Sequence, residues 1–252
     1  MSARPNDHII KSLQSDILRM QGFRCVNSPA LDANLGPMRT AFPNATFPLG
    51  AVHEFLCGRP EEAAATAGFI AGMQAAIMGR DSAAVWISAV RTPYPPALRA
   101  FGLQPDNIIF VQLKREKEIL WAMEESLKCS ALSTVVCELS HIDFTASRRL
   151  QLAVEQSQVT GFIIHNHCRK VQPTACVSRW SVSPLSSEPV SIDNLNADTE
   201  ALPGVGFPKW NVQLLRMRNG KPGSWALHWK NGRFASASES RLMIEAERKK
   251  TG

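Results

Sequence analysis

Residues 57–66, CGRPEEAAAT, stand where a strand-like run, Val52 to Leu56, gives way to a small-residue helix starting at about Pro60. Strand, glycine turn and helix N-terminus are the parts of a phosphate-binding loop. In the pattern G-x-x-x-x-G-K-[ST], backbone amides surround the phosphates, the lysine meets the β and γ groups, and the hydroxyl binds magnesium. Counted from Gly58, this chain has Arg59, Pro60, Glu61 and Glu62, then Ala63, Ala64 and Ala65 where glycine, lysine and Ser/Thr should stand. Thr66 lies one place too far along. Two acids at a helix N-terminus suit its dipole but repel a triphosphate. Each like-charge contact at about 4 Å costs on the order of 4 kcal/mol at an effective dielectric of about 20. The loop reads as degenerate, with no cofactor bound in the usual mode. An acid-capped helix behind a strand accounts for residues 58–66 by itself.

Other groupings also have ligand or contact chemistry. His165, His167, Cys168 and Cys176 are zinc-ligand types, but their spacing fits no standard finger, and a strand end plus loop explains them. Arg148 and Arg149 are adjacent on a helix, diverging by about 100° around it, and offer a DNA or partner contact or a solvated pair. In QLKREKEILWAMEESLK, the apolar spacing of Leu120, Met123 and Leu127 leaves Trp121 either as a further core residue, the ordinary reading, or turned toward another side as an anchor for a partner. Trp210, Trp225 and Trp229 interleave with Arg216, Arg218 and Lys221, a mixture that suits single-stranded DNA or a core with basic rims. No residue set reads as catalytic and none as a metal site.

Composition narrows the class. The chain has 252 residues, 44% of them hydrophobic, enough to bury a real core. Twenty-eight Lys and Arg against 22 Asp and Glu give +6, a mild attraction to nucleic acid or to an acidic protein. The N-terminal MSARPNDHIIKSLQ lacks the apolar core of a secretory signal, and no run approaches the roughly 20 apolar residues of a membrane span. The six cysteines show no C-x-x-C pair, and several sit in apolar segments and read as reduced core thiols. Together these features give an expectation of a cytoplasmic protein with no membrane partner.

The elements that must hold these groups alternate. Strand candidates are AVHEFL, AAVWIS (83–88), NIIFVQL (107–113), STVVCEL (133–139) and GFIIHN (161–166). Helix candidates lie between them at 61–78, 94–101, 115–130 and 145–158. Short, nearly continuous apolar strands separated by helices imply an α/β fold with a mostly parallel sheet covered on both faces. The expected organisation is a helix (7–20) and loop-like arm within 1–47, a core over 48–185, a flexible acidic connector over 186–208, a strand pair over 209–235 and a charged tail over 236–252.

The order of the parts resembles the RecA-type ATPase core. In that resemblance Glu138 stands where the magnesium-linked acid ends a strand, Val90 or a neighbour where the water-activating glutamate belongs, and His165 and Asn166 where the γ-phosphate is sensed. A more specific resemblance is to the ImuA family, RecA-like accessory proteins of bacterial SOS mutagenesis that are also similar to the SulA division inhibitors. The stretches that carry it are PLGAVHEFL (48–56), FGLQPDNIIFVQLKREKEILWAMEESLKCSAL (101–132), DFTASRRLQLAVEQSQVTGFII (143–164), SRWSVSPL (178–185) and WNVQLLRMRNGKPGSWALHW (210–229). It implies a non-enzymatic protein of translesion DNA synthesis, nucleoid-associated when active. Its implied partners are an ImuB-like protein, an error-prone replicative-type DNA polymerase, and RecA or RecA-coated single-stranded DNA, with self-association as a further expectation. A SulA-like inhibitor of FtsZ and an ATPase with a non-standard nucleotide site, Glu138 holding magnesium, are the alternatives.

Overall fold

A computed structural model describes residue 13 and residues 34–79, 82–90, 93–168, 171–187 and 206–237. The helix expected over 7–20 apart from residue 13, Cys25, most of the acidic connector and nearly all of the charged tail lie outside the described residues.

One mixed sheet organises the molecule. Its strands are β1 (Val52–Leu56), β2 (Ala83–Ser88), β3 (Ile108–Gln112), β4 (Leu132–Leu139), β5 (Thr160–His165), β6 (Ser178–Pro184), β7 (Lys209–Met217), β8 (Gly223–Lys230) and β9 (Arg233–Ser236). The order is β3-β2-β4-β5-β1-β6-β7-β8-β9. From β3 to β6 all neighbours are parallel, and from β6 to β9 they are antiparallel. The expected α/β fold with a mostly parallel sheet flanked by helices is therefore observed. The C-terminal strands extend the same sheet and number three, one more than the expected pair: Asn231 and Gly232, both at positive φ, close a tight turn that returns the chain as β9.

Three helices cover the sheet: α1 (Pro60–Ile77), α2 (Glu116–Leu127) and α3 (Phe144–Ser157). Helix α1 is rich in Ala and Gly and carries one aromatic, so it sinks against the sheet on several sides, burying Phe69, Ile70, Met73 and even Gln74, whose amide donates to Thr134 Oγ1 at 2.8 Å. On its side of the sheet Phe55, Trp86, Phe162, Trp180, Trp210, Trp229 and Phe234 form an aromatic core. On the other side α2 and α3 bury Ile119, Met123, Leu127, Leu150 and Val154 against Val52, Ile87, Val135 and Ile163. Asp143 caps α3, accepting the Ala146 N–H.

Two regions differ from expectation. Residues 94–101 form a 3-10 helix over Pro95–Phe101, because seven residues between Tyr94 and the left-handed Gly102 leave little length for i to i−4 pairing. The arm before β1 is packed rather than loose: 3-10 turns at Gly36–Ala41 and Pro43–Ala45 follow a fully buried Leu35 and set Met38, Phe42 and Phe47 into the aromatic core. Prolines and asparagines hid those anchors from any periodic pattern. No described helix is long and apolar enough to cross a membrane.

Candidate functional site

The loop between β1 and α1 is filled by its own helix. Pro60 starts α1 with its fixed φ, Arg59 is the extended N-cap residue, and Glu62 is the third helical residue. From there its carboxylate reaches back so that Oε2 accepts the Gly58 N–H at 2.8 Å. Oε1 takes the Arg59 Nε at 3.0 Å, and Arg59 also pairs with Glu61 at 3.3 Å. This is the reach of a capping box, shifted by one residue. Partial burial pushes the Glu62 carboxyl up, but the Gly58 N–H and the Arg59 guanidinium outweigh it and hold it below its ordinary value. Thr66, the hydroxyl nearest the magnesium position, is fully buried and hydrogen-bonded to Cys57 Sγ at 3.3 Å. Cys57 N–H donates to His165 O, and Cys57 O accepts from Cys168 N–H, so the loop is sewn to the end of β5.

Beside the loop, the small side chains of α1 leave an apolar groove of about 500 Å³. Ala63, Ala64 and Gly68 form one wall, Tyr94, Leu98 and Phe101 the other, and Glu138 and Asn166 lie at its polar end. Ala65 points instead into the core. Glu138 is buried at the end of β4, with Oε1 accepting Trp86 Nε1–H at 2.9 Å and Oε2 accepting Asn166 Nδ2–H at 3.0 Å. Both carboxylate oxygens thus hold neutral protein donors.

A second polar centre was not singled out in the sequence. Glu54, 1% exposed in the middle of β1, accepts hydrogen bonds from Thr174 Oγ1 at 2.5 Å, Arg179 Nε at 2.9 Å and Arg216 at 3.3 Å, with His165 Nε2 at 3.4 Å. Burial pushes its carboxyl up, yet His165, Thr174 and Arg179 together bring it below the usual value. An acid inside a five-residue strand buried on both faces is the signal that could have found it.

The other expected contacts separate into tied and exposed groups. Arg216 belongs to the Glu54 cluster, and Arg218 donates to Ala175 O at 3.1 Å. Burial, with Arg148 and Arg216 nearby, lowers the Arg218 pKa. Arg149 pairs with Glu124 across α2 and α3, while Arg148 and Lys221 are exposed. Trp121 projects from α2 at 63% exposure. Trp210 and Trp229 are buried in the aromatic core and Trp225 is half-buried, so the stacking platform is not formed by these rings. His165 points to Glu54, and Cys176 is buried with its thiol pushed up to about 12, first by desolvation and then by Glu54. Among the described residues no three His, Cys, Asp or Glu side chains converge as metal ligands.

Fold and loop together define a mixed α/β protein in which the glycine amide between β1 and α1 is met by the chain's own glutamate. No family model matches the sequence. Protein ImuA of Caulobacter vibrioides strain NA1000 / CB15N is 31% identical over 212 residues, 79% of this chain and 83% of that protein, and the same values hold for Protein ImuA of strain ATCC 19089 / CIP 103742 / CB 15. The chain belongs to the ImuA family. Membership supports a role in the SOS mutagenesis accessory system.

Proposed function

We propose that this chain is a non-catalytic accessory protein of error-prone translesion synthesis, working in the cytoplasm with an ImuB-like protein and an error-prone DNA polymerase, and joined through its RecA-like fold to RecA or RecA-coated single-stranded DNA. The observation that carries the non-catalytic part is the Gly58–Glu62 hydrogen bond. An incoming phosphate must displace a carboxylate already seated on the loop amide, and no lysine follows to repay that loss. Glu138, engaged by Trp86 and Asn166, adds a second obstacle to magnesium. Exposed Trp121, beside the Arg149–Glu124 pair on rigid helices, is the strongest single anchor for a protein partner.

Copurification from cells after DNA damage tests the reading. The wild-type chain should retain an ImuB-like protein or RecA, and Trp121→Ala should retain less of it at unchanged stability. Preparations containing neither would overturn the accessory role. Micromolar binding of a fluorescent ATP analogue, lost in Glu138→Ala, would overturn the non-catalytic part.

A further inference from the structure

The sheet ends in two edges of different character. β9 is packed by the Gly36–Ala41 turn. β3, at the opposite end of the strand order, pairs with β2, and no described element pairs with its outer side. Sheet edges that stay single are blunted by charges, proline or a bulge. β3 reads IIFVQ and has none of these, and its register with β2 runs without a shift. Ile109 is 56% exposed, although Val85, its neighbour on β2, is buried on the same face.

One hydrogen bond fixes which backbone groups face outward. Leu113 N–H donates to Ser88 O at 3.1 Å, so this end of β3 turns the amide of Leu113 toward β2. Alternation along the strand turns the peptide groups of Ile109 and Val111 the same way, and those of Ile108, Phe110 and Gln112 outward. Three outward residues centred on Phe110 form a set that a two-fold axis maps onto itself. Antiparallel pairing with the same strand of a second copy sets Phe110 against the partner's Phe110, and Ile108 against the partner's Gln112. Each such pair is of the hydrogen-bonded kind and exchanges both N–H···O bonds.

Side chains agree with that register. On the α2 face Ile109 lies opposite the partner's Val111 in the closer, non-hydrogen-bonded kind of pair, which covers its exposed side chain. Asp106, in the turn before the strand, is carried toward the partner's Lys114, just after it; both residues are exposed, and the symmetry makes the contact twice. Parallel pairing in register would instead set Asp106 beside the partner's Asp106 and Lys114 beside the partner's Lys114.

We propose that β3 pairs antiparallel with β3 of a second copy of this chain about a two-fold axis at Phe110, joining two sheets into one. A single five-residue edge makes a small interface, below the roughly 1,200 Å² of stable complexes, so the dimer is weak and fills at micromolar concentrations or above. The inference rests on strand register and edge chemistry and does not require the accessory role proposed above.

Sedimentation velocity of the full-length chain, from micromolar to several hundred micromolar, decides it. Monomer should pass to dimer and stop there, because a two-fold contact closes on itself. Gln112→Pro removes an outward N–H and leaves the Leu113–Ser88 bond in place, so it should weaken dimerisation at least tenfold with little change in melting temperature. Ile109→Lys, a charge set against the partner's Val111, should weaken it as much. If either variant fails to fold, charge exchange at the two exposed positions decides. Asp106→Lys and Lys114→Asp should each weaken the dimer severalfold, and the double variant should return to within twofold of wild type. A monomer at every concentration, growth beyond the dimer, a dimer indifferent to Gln112→Pro and Ile109→Lys, or a double exchange no better than its parts overturns the pairing.

Discussion

Glu62 and Gly58 are joined across the first turn of α1 by a 2.8 Å hydrogen bond from the glycine N–H to Oε2. A carboxylate occupies the direction in which a phosphate-binding loop presents its amide. Glu62→Ala should therefore lower stability by about 1 kcal/mol, the usual cost of a lost helix cap. It should not create nucleotide affinity, because Ala64 still stands where a lysine is needed. Urea midpoints at pH 7, together with titration of an ATP analogue, check both halves. Because the folded Glu62 pKa is lowered, its contribution is present above the unfolded carboxylate pKa and is lost as pH falls through the folded value.

Glu54 should be far more sensitive. Removing it leaves Arg179, whose side chain is 13% exposed, beside Arg216 without their shared anion. Breaking a buried pair in this way costs about 3–5 kcal/mol. Glu54→Ala is expected to fall in that range by chemical denaturation. Glu54→Leu/Arg179→Met should recover a substantial part of the loss, since both charges then leave together.

These two carboxylates also mark what could be read from the sequence. The loop lies within ten consecutive residues, so its missing lysine and its two acids are visible in the order of letters. The bounds of β2 follow from an apolar run that begins after the polar pair Asp81 and Ser82, and β1 ends at the Cys57–Gly58 turn. The Glu54 cluster gathers residues 54, 165, 174, 179 and 216 from separate parts of the chain, up to 162 positions apart. No local spacing encodes that meeting. Likewise Trp210 and Trp229 alternate as any exposed aromatic platform would, and only the position of α1 decides that they are core.

His53 predicts the mild-acid behaviour. Its ring is fully buried, with Nε2–H donating to Pro48 O at 2.9 Å and Nδ1 paired with Ser178 Oγ at 2.6 Å. Desolvation, opposed by the Pro48 bond, lowers its pKa from 6.5 to about 4. The unfolded chain then binds a proton that the folded chain refuses. Stability from this group is complete above about pH 6.5 and declines as pH falls toward 4, by at most about 1.4 kcal/mol per unit. His53→Gln should be less stable than wild type at pH 7, yet lose less between pH 6.5 and 4.5. An equal slope in both proteins would assign the acid sensitivity elsewhere.

Gly36 and Gly232 separate backbone strain from close approach. Both have positive φ, +56° and +74°, so alanine is strained at either position. At Gly232 a Cβ would meet nothing within 4 Å, and Gly232→Ala should cost about 1 kcal/mol. At Gly36 the Cβ would lie 2.2 Å from Phe234 O, a backbone atom that cannot rotate away. The turn Gly36–Ala41 packs on β9 there and also accepts the Lys221 N–H at Ala41 O. Gly36→Ala must push that turn off the edge of the sheet. Its cost should be at least twice that of Gly232→Ala, and the uncovered β9 should promote association between chains, as open edge strands do. Thermal unfolding combined with light scattering measures both effects. Equal melting temperatures for the two variants would show that the arm contributes nothing to holding β9 in place.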